Sequence, residues 1–161
     1  MLTGTEVAVE RIHPPRWLIS YLVNPVARPV LRKKRKMGEQ VLLLRFSGRR
    51  TGRSYELPVG YRRIDGRLAL ISDSGWRLNF QGGRDVEITL KGEIVVARAS
   101  LMADPSEVAQ IYEGLIDEVG LSNAARQLGI KLHVDRKPTR DELTDMVRLS
   151  GLSVIWLDTL S

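Results

Sequence analysis

An α+β fold built on a small antiparallel β-barrel is the class that this sequence predicts. Three observations point to it. About six short strand-like segments follow one another, several joined as hairpins. The helical patterns gather at the ends and in one late insertion. No alternating series of strands and helices supports a parallel doubly wound sheet.

Pro14 and Pro15 stand where a helix can start, and Trp17, Leu18, Ile19, Leu22 and Val23 follow before Pro25 and Pro29 interrupt. Two short kinked helices are expected there, ending in the basic run "RKKRK", Arg32 to Lys36. After Gly38 the period becomes that of strands. "QVLLLRFS" (40–47) is a continuous apolar run, and "YELPVGYRRI" (55–64) is read as one extended segment. Asp65-Gly66 signals a hairpin into "RLALIS" (67–72), and Lys91-Gly92 joins "VEITL" (86–90) to "EIVVARASL" (93–101). "LSVIWL" (152–157) is the last strand, returning after the helices.

Three helices are predicted late in the chain. Asp104-Pro105 opens one that places Val108, Ile111, Tyr112, Leu115, Ile116 and Val119 on one face. "SNAARQLG" is a shorter one. The segment 139–151 carries a capping box, with Thr139 as cap and Glu142 three residues on, and ends at a glycine. One domain is expected: a basic amphipathic helical extension over 1–38 and the barrel with its helices over 39–161.

Composition removes several chemistries. The chain of 161 residues has no cysteine, which excludes disulfides, thiolate nucleophiles and cysteine metal sites. Only His13 and His133 are present, so a histidine metal centre or a serine-histidine relay has little material, and no metal is expected. The net charge of +6 is uneven: residues 1–63 carry 14 Lys+Arg against 4 Asp+Glu. That favours an anionic partner for the first part of the chain. No classical signal peptide is visible, and the expected location is cytoplasmic. The apolar run before "RKKRK" is too short to span a bilayer, so Trp17 to Lys36 is read as a peripheral contact with the inner face of the cell membrane, or as a solvated helix end. Nucleic-acid binding is disfavoured, because no aromatic platform accompanies the basic run.

Two constellations could carry chemistry. "SGRRTGR" puts Arg49, Arg50 and Arg53 with Gly48 and Gly52 in a tight turn, where guanidinium and backbone N–H groups suit phosphate oxygens. The alternative is a solvated hairpin loop. "SDSGWRLNFQGG" (72–83) brings Trp76 and Asn79 to one face if it forms a helical turn, which could hold a ring cofactor. The alternative is that Trp76 plugs the barrel end and Asn79 caps a turn.

The ordered set "GRRTGR", "ELPVGY", Asp-Gly hairpin, "GWRLNFQGG" and "VEITLKG" resembles the deazaflavin-dependent nitroreductase family. These are split β-barrel oxidoreductases, related in fold to FMN-binding split barrels, that use reduced coenzyme F420. The resemblance covers roughly 41–106. It implies that Arg49, Arg50, Thr51, Gly52 and Arg53 hold the coenzyme's phosphate and acidic tail. It implies that Pro58, Val59 and Gly60 face the deazaflavin ring, with Trp76 and Asn79 beside the same pocket. The implied activity is hydride transfer to a small acceptor such as a quinone, enone or nitroaromatic. FMN as ligand, or a non-catalytic barrel carrying a lipid or fatty acid, are the other readings. Tyr61 and Tyr112 are the candidate proton donors, each also readable as a core tyrosine with its hydroxyl at the rim. Barrels of this kind often pair through an exposed face, so a homodimer is carried as an expectation. The chain departs from the family pattern in two places. It lacks a His-Pro step before the tryptophan, and Arg50 stands where a lysine is common, which keeps the charge and changes its geometry.

Overall fold

The computed structural model describes residues 7–11 and 40–160, which run β1 (Val9–Arg11), β2 (Val41–Ser47), β3 (Ser54–Gly60), β4 (Arg62–Ile64), β5 (Arg67–Ser72), a 3₁₀ turn (Gly75–Phe80), β6 (Arg84–Leu90), β7 (Glu93–Met102), α1 (Pro105–Val119), α2 (Leu121–Leu128), β8 (Ile130–Leu132), α3 (Arg140–Ser150) and β9 (Ser153–Thr159). The helices expected between Pro14 and Lys36 lie outside the described residues, as does any membrane contact made there. Among the described residues no helix is long and apolar enough to cross a membrane. These residues form two compact units, one of 7–11 with Met102–Ser153 and one of 40–101 with 154–160.

The second unit is the barrel. Its seven strands run in the order β3-β2-β6-β7-β9-β5-β4. β3 and β4 stand at opposite ends of that order, yet only Tyr61 separates them in sequence. Successive α-carbons lie about 3.8 Å apart, so the two edges must come together and the sheet must curl. This gives the expected α+β split-barrel architecture, with seven sheet strands rather than about six. It also corrects the reading of 55–64 as one strand. The chain leaves β3 at Gly60, and the Tyr61 N–H donates to the Gln40 carbonyl at 3.0 Å, while the Tyr61 ring turns into the core.

Alternation along β2 sets the inner and outer faces. Leu42, Leu44 and Phe46 are buried, and opposite them across the ladder stand Val59, Leu57 and Tyr55. Ile88 on the other side of Leu44 continues the inner layer, which Ala97 and Ala99 of β7 join. On the outer face Arg45 lies between Glu56 and Glu87, donating to Glu56 Oε2 from Nε at 3.1 Å. The two contributions differ in weight. Each fully buried apolar side chain stabilises by roughly 1.5–3 kcal/mol, whereas an exposed ion pair of this kind is screened by solvent and contributes far less. The core therefore dominates the fold.

Both predicted two-residue turns form, and for a stated reason. Asp65 and Gly66 have φ of 51° and 80°, and Lys91 and Gly92 have 50° and 85°. Positive φ at both central positions is the twist that a tight hairpin needs, and glycine supplies the second at no steric cost.

The helical unit follows the sequence closely. Asp104 caps α1 by accepting from the Glu107 N–H, with Pro105 in the first turn. Val108, Ala109, Tyr112, Leu115 and Ile116 are its buried face. Gly120, at φ 87°, turns the chain into α2. The α3 capping box is present in both directions, Glu142 N–H to Thr139 Oγ1 at 3.2 Å and Thr139 N–H to Glu142 Oε1 at 2.8 Å. Arg140 and Lys137 pair with Glu113 and Asp117 of α1. Strands β1 and β8, absent from the sequence expectation, pair Val9 with Leu132 and Arg11 with Ile130. Three residues each are too few to show a period. The side chain of Arg11 donates to the carbonyls of Leu128 and Gly129, both at 3.2 Å, satisfying the end of α2.

Candidate functional site

The arginine-rich loop is a closed six-residue connection between paired ends, Ser47 and Ser54 standing opposite one another in the β2–β3 ladder. The Gly48 N–H donates to the Arg53 carbonyl at 2.7 Å, and the Gly52 N–H to the Gly48 carbonyl at 2.9 Å. The Arg53 N–H donates to Thr51 Oγ1 at 3.2 Å. Gly52 takes φ 71°, which a side chain would oppose. The Arg84 guanidinium donates to the Ser47 carbonyl at the loop's stem. The backbone is thus held by its own bonds, while Arg49, Arg50, Thr51 and Arg53 remain exposed.

The loop arginines differ from six others of the chain in what they touch. Arg45, Arg67, Arg98, Arg136, Arg140 and Arg148 each pair with a carboxylate. Among the described residues the guanidinium groups of Arg49, Arg50 and Arg53 have neither an ion pair nor a hydrogen bond. Three exposed cations on one six-residue connection, without an ion-pair partner among the described residues, repel one another, which an anionic ligand would relieve.

Beside the loop lies an aromatic group at one end of the core. Tyr55 stacks on Phe46 with centroids 5.5 Å apart and planes 27° apart. Phe46 meets Phe80 edge-on at 5.2 Å, and Trp76 lies 6.1 Å from Phe80 and 6.4 Å from Phe46. Trp76 is half-buried within the 3₁₀ turn, where residues three apart are eclipsed, so it does share a side with Asn79. Asn79 connects the two constellations. Its Nδ2 donates to the Trp76 carbonyl at 2.8 Å, and its Oδ1 accepts from the Arg49 N–H, also at 2.8 Å.

The remaining residues are placed as follows. Pro58 is buried opposite Leu43, Val59 is half-buried opposite Leu42, and Gly60 is exposed opposite Val41. Pro58 occupies an end strand of the sheet order, where its missing N–H costs no second ladder bond. Tyr61 is 7% exposed, and its hydroxyl has no hydrogen bond to a described residue. Tyr112 belongs to the helical unit, is 1% exposed, and donates from its hydroxyl to the Leu128 carbonyl at 3.2 Å. Among the described residues no cluster of His, Asp or Glu could hold a metal ion.

One residue, Tyr55, and two contacts of this region escaped the sequence reading. Tyr55 faces the core end of the loop, and Gly48 lies against its ring. A single aromatic in a strand pattern carries no signal of which end of a barrel it will reach. The Asn79–Arg49 bond joins residues 30 apart, a link that no local pattern encodes.

The donors fit coenzyme F420 on chemical grounds. Its tail is anionic, and this loop presents cations and backbone N–H groups without an internal acid. The family model described as F420H(2)-dependent quinone reductase matches residues 27–134. No curated protein matches the chain. Among solved structures, an F420 reductase is 14% identical over 92% of this chain and 97% of its own, at a TM-score of 0.40. A conserved hypothetical protein of Mycobacterium tuberculosis is 15% identical over 94% and 84%, at 0.43, and General Stress Protein 26 of Bacillus anthracis is 15% identical over 80% and 88%, at 0.42. The assignment rests on the family model, which covers more than half of the 161 residues. The chain belongs to the F420H(2)-dependent quinone reductase family and is an oxidoreductase that uses coenzyme F420.

Proposed function

We propose that the protein reduces a small organic acceptor of the quinone, enone or nitroaromatic class, with the coenzyme's anionic tail held by the Arg49–Arg53 loop and its ring bordered by β3. When bound, the reduced coenzyme supplies a hydride, and the acceptor takes that hydride together with one proton. The chain's own residues have three tasks. Arg49, Arg50 and Arg53 neutralise the tail, helped by Thr51 and the backbone at Gly52. Pro58, Val59 and Gly60 give an apolar stretch of β3 beside which a planar ring can lie, and Trp76 packs on Phe46 at the loop end of the core. Tyr61 is the donor to test for the proton, because its hydroxyl is uncommitted among the described residues, whereas that of Tyr112 already donates to Leu128.

The observation that carries this reading is that, among the described residues, the three loop arginines have no ion-pair partner. Fluorescence titration with coenzyme F420, repeated with FMN, tests it. Coenzyme F420 should bind and FMN should not compete. Replacing Arg49, Arg50 and Arg53 with alanine should weaken coenzyme binding by at least about 100-fold, since each charged hydrogen bond lost is worth about 1.5–3 kcal/mol. Circular dichroism should show the barrel intact. Unchanged binding by this triple variant would overturn the assignment of the loop.

A further inference from the structure

We propose that Asn79 is a positioning residue that holds the arginine loop in its receiving shape, and that it acts on the coenzyme through Arg49 rather than by touching it. The inference rests on the reading of that loop as the receptor for the anionic tail.

The geometry decides the role. Asn79 spends its carbonyl oxygen on the Arg49 N–H and its amide nitrogen on the Trp76 carbonyl, each at 2.8 Å. This orientation of the amide is the one its neighbours demand. A flipped side chain would set its NH₂ against the Arg49 N–H and its oxygen against the Trp76 carbonyl. Each end therefore holds one backbone partner, which fixes the plane of the amide.

What Asn79 grips is also informative. The loop's other internal bonds, Gly48 to Arg53, Gly52 to Gly48 and Arg53 to Thr51, tie the loop only to itself. The bond to Arg49 ties it to the 3₁₀ turn, whose Trp76 and Phe80 pack on Phe46 of the core. Arg49, Arg50 and Arg53 repel one another, and a loop free to open would relax that repulsion by spreading them. Asn79 opposes the spread at the loop's first arginine. The loss of freedom is then met on folding rather than on binding, which is how pre-organisation raises affinity.

The test compares two ligands and one amide. The ligands are coenzyme F420 and the same deazaflavin chromophore lacking the phosphate and acidic tail. Asn79→Ala should weaken the full coenzyme about tenfold and leave the tail-less chromophore within twofold of wild type. Equal weakening of both, or of neither, would overturn the proposal. The amide measurement needs no variant. By hydrogen exchange in the wild type, the Arg49 N–H should be protected relative to those of Arg50 and Thr51, for which the described residues provide no acceptor. Equal exchange at the three positions would overturn it as well. The Arg49, Arg50 and Arg53 triple variant separates the two levels of inference. If it loses the coenzyme while Asn79→Ala does not, only the role of Asn79 fails. If it binds as wild type, the loop reading falls and this inference falls with it.

Discussion

A β-carbon on Gly48 would stand 2.9 Å from Cε2 of Tyr55, closer than such contacts occur. Gly48 has an ordinary backbone conformation, so its role here is spatial: it lets the arginine loop begin directly against an aromatic ring. That ring is stacked on Phe46 and is 39% exposed, which leaves it some room to yield outward. Gly48→Ala is expected to destabilise by about 1–3 kcal/mol, the usual range for over-packing. In a Tyr55→Ala background the same Gly48→Ala change should cost less than it does in wild type. A thermal melt of Gly48→Ala indistinguishable from wild type would show that the ring moves freely and that the contact is unimportant.

Tyr112 offers a separate check on which tyrosine matters. Removing its hydroxyl with Tyr112→Phe leaves the Leu128 carbonyl one donor short, although the Arg11 guanidinium still reaches that oxygen at 3.2 Å. The expected cost is about 1 kcal/mol of stability, within the range for one hydrogen bond. The rate of acceptor reduction should not change. A fall in kcat at unchanged stability would instead give Tyr112 a part in turnover.

The cap of α3 predicts a pH effect with a definite sign. Hydrogen bonds from Arg136 and from the Thr139 N–H hold the Glu142 carboxyl down at about 2, against an ordinary value of 4.5. A depressed folded value stabilises fully above pH 4.5 and stops contributing below about 2, as the folded carboxyl takes its proton. Glu142→Gln can keep the reciprocal cap but not the ion pair with Arg136. Wild type should therefore melt higher than Glu142→Gln at neutral pH, and the gap should narrow as pH falls from 4.5 towards 2. A gap that stays constant over that window would remove the ion pair from the account.

Much of the local structure was legible from residues alone. The capping box at Thr139 and Glu142, the Asp104-Pro105 helix start and the Asp65-Gly66 and Lys91-Gly92 turns are chemical signals confined to a few neighbouring residues. They formed where expected because backbone hydrogen bonds and positive-φ positions are satisfied locally. The break at Tyr61 was not legible. "YELPVGYRRI" has no residue that must end a strand, and the chain changes course there because the sheet closes and Gln40 takes the Tyr61 N–H.

The candidate site divides along the same line. Residue chemistry alone determined that 48–53 is a cationic turn suited to an anion, and the order of motifs pointed to the family. Only the folded barrel decided that these arginines have no acid beside them among the described residues, while Arg45, equally charged and three residues before Gly48, lies between Glu56 and Glu87. Tertiary structure likewise set Gly48 against Tyr55 and bonded Asn79 to Arg49. Charge and turn propensity are properties of neighbouring residues, whereas the presence of a counter-charge or a strut depends on which distant strands the closure of the sheet brings together.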